Sequence, residues 1–305
     1  MSPLRGILFK LASVLVFIAM AAVIKATAEH VPAGEAVFFR SFFAIPVILV
    51  WLGWQRELRS GLRVAQPMGH VWRGVVGTAA MGLGFAGLGL LPLPEVTAIG
   101  YAAPLLTVVF AAMFLGEEVR LFRLSAVALG MVGVMIVLSP RLGAVDQTTS
   151  GEALGAVVTL MGATCAALAQ VFVRKLVATE RTSAIVFWFS VTASVLSLAT
   201  LPFGWVWPSS TEAAFLVAAG VLGGFGQIFL TSGYRYADAS IVAPFEYASM
   251  IFALAIGYVF FDEVPTLVML GGAALVILAG VLIIWRERQL GLERARQRKA
   301  MTPQG

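Results

Sequence analysis

The sequence predicts an all-α integral membrane protein of ten transmembrane helices, built as two inverted five-helix repeats with both termini cytoplasmic. Three observations predict it: the chain divides into ten apolar blocks about as long as a bilayer is thick, its basic residues gather on one side of them, and the first five blocks pattern like the last five. Of 305 residues, 60% are apolar and 12% charged. With a mean hydropathy of +0.93, a water-soluble fold would have too little polar surface, so the main solvent is lipid.

A helix needs about 20 apolar residues to cross roughly 30 Å of hydrocarbon. Span one, 6–28, has basic residues before it; a cleaved signal peptide is rejected because no small-x-small site precedes Glu29, the block runs into another span and a similar block recurs later. Span two, 33–54, carries Arg40 about two turns in, and span three, 70–91, ends in the glycine-rich run MGLGFAGLGLL. Span four, 94–115, contains Tyr101 and Pro104, and span five, 121–139, is apolar throughout from Leu124 to Leu138. Span six, 152–173, holds Cys165 and Gln170; span seven, 183–204, holds Trp188; span eight, 212–234, includes GVLGGFGQ. Span nine, 238–261, carries Pro244, Glu246, Tyr247 and Tyr258, and span ten, 266–285, precedes a basic tail, 286–305. A transmembrane β-barrel would instead show alternating segments of about ten residues.

With the N-terminus inside, the inner segments hold Arg5, Lys10, Arg73 and most other basic residues, and the outer ones keep only Lys25 and Arg141, with Arg40 left inside a span. That asymmetry orients the chain. The net charge of +5 lies in short loops and the tail at membrane edges, so it calls for headgroups rather than nucleic acid.

At an offset of 149, Gly6 matches Gly155, Lys25 matches Arg174, Phe38 matches Phe187 and Ser41 matches Ser190. At an offset of 145, Ala98 matches Ala243, Ala103 matches Ala248, Glu118 matches Glu263 and Val119 matches Val264. Each repeat has an odd number of spans, so the second enters from the opposite side, placing Glu117-Glu118 inside and Asp262-Glu263 outside. The expected units are 1–140 and 151–285, followed by the cytoplasmic tail.

The runs GEAVFFRSFFAIPVIL at 34–49, LLPLPEVTAIGYAAPLLTVVFAAMFLGEEV at 90–119 and SIVAPFEYASMIFALAIGYVFFDEV at 240–264 resemble the drug/metabolite transporter superfamily, EamA type. The resemblance spans the chain and implies a ten-helix fold with a central cavity between the halves. EAVFFRSFF, GHVWRG at 69–74 and TAIGYAAPLLT at 97–107 are most similar to the branch containing S-adenosylmethionine uptake transporters. Riboflavin importers and amino acid exporters share that architecture. The resemblance implies a multi-pass protein of the bacterial inner membrane acting on a small amphipathic metabolite.

Polar groups inside spans need a reason, because an ionisable side chain at a helix centre costs about 2.5–3.5 kcal/mol on insertion scales. Arg40 can bind a carboxylate or phosphate, or serve a structural ion pair. Glu246 suits a cationic substrate or a coupling proton, the alternative being an internal partner for Arg40 or Arg73. Gln170 and Gln227 can hydrogen-bond a polar head group or join helices. Tyr101, Trp188, Tyr247 and Tyr258 can stack on a planar ring or hold a cation, against the plainer role of packing. Pro104 and Pro244 should kink their spans, and the two glycine runs read as packing surfaces. The few deep charges argue against a multivalent anion.

His30 and His70 sit at membrane edges, and the chain has no HExxH, GxSxG, aspartate cluster or Walker sequence, so neither an enzyme, a metal nor a cofactor is expected. The remaining rival is a scaffold that moves nothing. Transport, lacking an ATP site, would be secondary. The lone Cys165 reads as a small core residue, and oligomeric state is not legible, since lipid-facing and partner-facing leucines look alike.

Overall fold

The computed structural model describes residues 3–115, 121–142, 150–177, 179–236 and 243–301. The Glu117-Glu118 turn, the start of span nine at 238–242 and the last tail residues lie outside the described residues. All regular structure among the described residues is helical: α1 (Pro3–Thr27), α2 (Ala33–Trp54), α3 (Leu58–Gly61), α4 (Pro67–Leu90), α5 (Leu93–Gly100), α6 (Ala102–Leu115), α7 (Leu121–Leu142), α8 (Ser150–Val177), α9 (Thr182–Leu198), α10 (Ser210–Tyr236), α11 (Ala248–Phe261) and α12 (Leu267–Met301), with short 3₁₀ turns at Leu201–Phe203 and Ala243–Tyr247.

Eight spans are long and apolar enough to cross a bilayer, the segment Leu93–Phe114 combining α5 and α6; Thr182–Leu198 and Phe245–Phe261 are shorter apolar helices. At 17 residues α9 covers about 25 Å, less than span seven was expected to, and the turn at Leu201–Phe203 extends it before Gly204 reverses the chain at φ 96°. At the other extreme α12 continues as helix through the expected tail to Met301.

Prolines set several starts. Pro32 precedes α2 in extended conformation, Pro67 opens α4 and Pro92 precedes α5, positions where a missing N–H removes nothing from the ladder. Asp262 ends α11 in the left-handed region, at φ 53°, and turns Glu263 back toward α5.

Packing follows partners in pairs: α1 lies along α10 and α4 along α8, α2 contacts α9 and α10, and α7 pairs with α12. Where α7 crosses α12 the backbones touch, because a Cβ on Gly133 would come within 2.8 Å of the Gly272 carbonyl oxygen and one on Gly272 within 2.7 Å of the Gly133 oxygen. In lipid, such close approach supplies the association that water-driven burial would otherwise provide. One apolar cluster joins α5–α8, α11 and α12 around Tyr101 and Tyr247; a second joins α1, α2, α4 and α10 around Ile24, Val37, Phe85 and Leu216. Large apolar side chains such as Leu121, Phe260 and Leu267 are left exposed, as suits a surface facing hydrocarbon.

Candidate functional site

Span four breaks at Tyr101. Pro104 has no N–H to donate to the Gly100 carbonyl, so α5 stops at Gly100 and α6 begins at Ala102. Span nine opens with the 3₁₀ turn containing Pro244 before α11 begins. Span four thus breaks three residues before its proline, while what precedes Ala243 in span nine lies outside the described residues.

The break in span four meets that turn. The Tyr101 ring stands edge-on to Tyr247, centroids 5.0 Å apart. Ser249 donates to the Glu246 carbonyl at 2.7 Å, which leaves the Tyr101 hydroxyl to donate toward Ser249 Oγ at 2.5 Å, with the Tyr247 carbonyl 3.3 Å away. Carbonyls that the 3₁₀ turn frees from the helical ladder thus find donors inside the protein, as non-helical backbone at membrane depth requires. The Tyr247 hydroxyl presses on Gly280 of α12, where any side chain would overlap it.

Beside this junction Glu246 forms an ion pair with Lys10 of α1. Lys10, counted with the inner segments in the charge pattern, is instead buried within α1 at 2% exposure, while the Glu246 side chain keeps 47% of its surface. The partner anticipated for Glu246 was Arg40 or Arg73; a buried ammonium needs a counter-charge, and Lys10 takes it.

Neither Arg40 nor Arg73 has a carboxylate partner among the described residues. Arg40 of α2 is 4% exposed, and its guanidinium lies 5.9 Å from the Phe189 ring of α9. The Arg73 guanidinium lies 3.7 Å from the same ring. Arg40 Nε and Arg73 Nε and Nη1 are buried without a hydrogen-bond partner among the described residues. Glycines make room for both: a Cβ on Gly223 of α10 would stand 3.0 Å from Arg40 Nε, and one on Gly77 would collide with Arg73 Nη1. Arg73 lies about two turns inside α4, so the two arginines form a positive pair between α2, α4 and α9.

The remaining predicted residues scatter. Gln227 lies one turn beyond Gly223 and lines a small gap of about 10 Å³ with Trp51, Ser183 and Val186. Gln170 is exposed on α8. Trp188 donates from Nε1 to the Leu62 carbonyl at 3.1 Å and so ties α9 to the segment before α4. Tyr258 is exposed on α11.

Sequence reading missed a clasp at the far end of α1. Lys25 donates to the Leu88 and Leu91 carbonyls at 3.1 and 2.7 Å and pairs with Glu263 at 3.0 Å; Glu263 in turn accepts the Leu93 N–H at 2.8 Å. One lysine and one glutamate thus cap the end of α4 and the start of α5. Nearby, Arg141 pairs with Glu95 at 2.8 Å and also with Glu152, joining α7, α5 and α8. At the opposite end Glu180 accepts the Ala65 and Gln66 N–H groups at 2.6 Å each and faces His70 at 3.5 Å. The signal for the clasp was present, since Lys25 and Glu263 each have a counterpart in the other half of the chain.

A bundle of long apolar helices with an interrupted span and ion-paired side chains between its helices is the architecture of a polytopic membrane protein. The chain belongs to the EamA-like transporter family, whose family model matches residues 4–139 and again 153–286. It is 30% identical over 279 residues to the pseudopaline exporter of Pseudomonas aeruginosa strain UCBPP-PA14, covering 91% of this chain and 95% of that one. It is 27% identical over 255 residues to the S-adenosylmethionine uptake transporter of Rickettsia prowazekii strain Madrid E, covering 84% of each. Over 257 residues it is 28% identical to the riboflavin transporter of Rhizobium johnstonii, covering 84% and 82%. A solved crystal structure shares the fold, with a TM-score of 0.65 and 21% identity over 93% of this chain and 98% of the other. The chain is accordingly a multi-pass transporter of the bacterial inner membrane, not an enzyme.

Proposed function

We propose that the protein is a secondary transporter that moves a small amphipathic organic metabolite, of S-adenosylmethionine-like character, by alternating access. Its two units, 1–140 and 151–285, act as inverted repeats with cytoplasmic termini around the Tyr101–Tyr247 junction. The observation that carries this reading is that junction: the broken span four meets the 3₁₀ turn leading into α11 through side-chain and carbonyl groups, beside a half-exposed carboxylate at Glu246. The paired packing supports it, since exchanging the halves turns α1 against α10 into α8 against α4.

In this reading Glu246 receives a cationic group while Lys10 holds the carboxylate ionised. Tyr101 and Tyr247 orient a planar ring, Arg40 supplies positive charge, and Gln170, Gln227 and Trp188 contribute as the halves rearrange. Riboflavin or an amino acid is the alternative cargo.

The test is a thermal-shift screen of the purified protein against S-adenosylmethionine, S-adenosylhomocysteine, riboflavin and aromatic amino acids, repeated with Glu246→Gln and followed by proteoliposome flux. Stabilisation by the sulfonium compound, lost in Glu246→Gln, is expected. A parent-like response in that variant removes cation recognition at Glu246, and absence of flux for every compound removes the transport reading.

A further inference from the structure

We infer that Arg40 and Arg73, with Phe189 between their helices, form a subsite for the carboxylate of an organic substrate. The inference rests on the transport reading and adds the chemical class of one end of the cargo.

Three observations converge on it. First, two guanidiniums lie against one aromatic ring, at 5.9 and 3.7 Å, so each charge raises the electrostatic cost of the other. Second, the described residues supply no counter-ion: three of their N–H-bearing nitrogens are buried and unbonded, while the buried Glu35 on the helix of Arg40 accepts the Val206 N–H and Glu246 is engaged with Lys10. Buried donors left unmade are costly, and guanidinium donors more so than neutral ones. Third, Gly77 and Gly223 let the two head groups seat directly against helix backbone, since a Cβ on the first would overlap Arg73 Nη1 and one on the second would stand 3.0 Å from Arg40 Nε.

The cation–π contacts with Phe189 offset part of that cost, at about 2 kcal/mol each when desolvated, but a ring face accepts no N–H in the guanidinium plane. A planar carboxylate does: it matches the fork of donors on an arginine and can bridge two. Arg73, only partly covered, is the member through which a ligand would enter, and Arg40, almost wholly buried, is the one it would reach last.

The experiment measures stabilisation of the full-length protein by matched pairs at constant ionic strength: acetate against acetamide, phenylacetate against phenylacetamide, and S-adenosylmethionine against its decarboxylated form. Parent protein, Arg40→Gln, Arg73→Gln and Arg73→Lys are compared. The expected result is saturable stabilisation favouring the carboxylate member of a pair, weakened roughly tenfold or more in half-saturating concentration by either glutamine variant and partly kept by Arg73→Lys. Should Arg40→Gln not fold, the two Arg73 variants still decide. The proposal is overturned if no pair shows a carboxylate preference, if the glutamine variants retain it, or if inorganic phosphate or chloride stabilises equally well. Flux of S-adenosylmethionine in proteoliposomes separates the two ideas: flux with no carboxylate preference removes only the subsite, whereas carboxylate binding without flux of any cargo removes transport and leaves the subsite.

Discussion

Arg40 and Phe189 stand 149 residues apart, the same offset that relates Phe38 to Phe187 and Ser41 to Ser190, and in the folded protein they lie against one another, guanidinium to ring centroid 5.9 Å. Corresponding positions of the two halves have thus diverged, one to a cation and the other to its aromatic platform. The centre of the molecule is chemically lopsided although its packing is paired. Phe189→Ala should therefore do more than open a cavity, lowering stability by about 3–5 kcal/mol, while Phe189→Trp should retain most of it. Thermal unfolding in detergent reads both; equal losses in the two variants would argue against a role for the ring face.

The Lys10–Glu246 pair is unequal, since the lysine is buried and the glutamate half exposed. Glu246→Gln should cost about 3 kcal/mol because it leaves Lys10 without its carboxylate; Lys10→Met should cost about 1 kcal/mol because the glutamate is not enclosed. Combining them should cost less than the sum. An additive double mutant in denaturation measurements would show that the two side chains are not coupled.

Glu263 caps the first N–H of α5 and holds Lys25. Removing its charge as Glu263→Gln should raise hydrogen exchange at Leu93 about tenfold or more, with little change at the core of α7. Unchanged exchange at Leu93 would mean the clasp does not hold that helix end.

Tyr101→Phe deletes a hydroxyl that joins span four to Ser249 and the Tyr247 carbonyl. A loss of about 1–2 kcal/mol is expected, together with slower flux, since the junction of the two halves loosens. A variant as stable and as fast as the parent would leave the junction without that role.

At the α7–α12 crossing the two backbones are in contact at Gly133 and Gly272. Gly133→Val should lower stability by more than about 3 kcal/mol, and Gly271→Ala, whose Cβ would meet open space, should be tolerated. Purified yield and melting temperature distinguish them.

Much of the fold was legible because the bilayer imposes a simple rule. Each span must be apolar for about 20 residues and must satisfy its own backbone, so the block 33–54 was readable to the residue, while α4 starts before its block at Pro67 and α7 runs past its block to Leu142. Prolines were readable for the same reason, as an absent N–H acts locally: Pro104 announced a break, although the structure puts it at Tyr101. Lys10 and Arg73 were not readable. Each lies close enough to a span end to pass as a snorkelling residue, and only the approach of another helix shows that Lys10 is buried and that Arg73 Nε and Nη1 are shut in.

Pairing was the least legible feature of all. Glu246 lies 236 residues from Lys10, and nothing along the chain distinguishes that lysine from the arginines as its partner. The sequence by itself determined the solvent, the number and type of elements and the residues too polar for their surroundings, since hydropathy, backbone donors and charge are properties of single segments. Tertiary structure alone decided which charges neutralise one another and which do not. Ion pairing depends on distances of a few ångströms between segments, and those are set by helix packing: α1 against the Ala243–Tyr247 turn satisfies Glu246, and the crossing of α2, α4 and α9 leaves Arg40 and Arg73 together on Phe189.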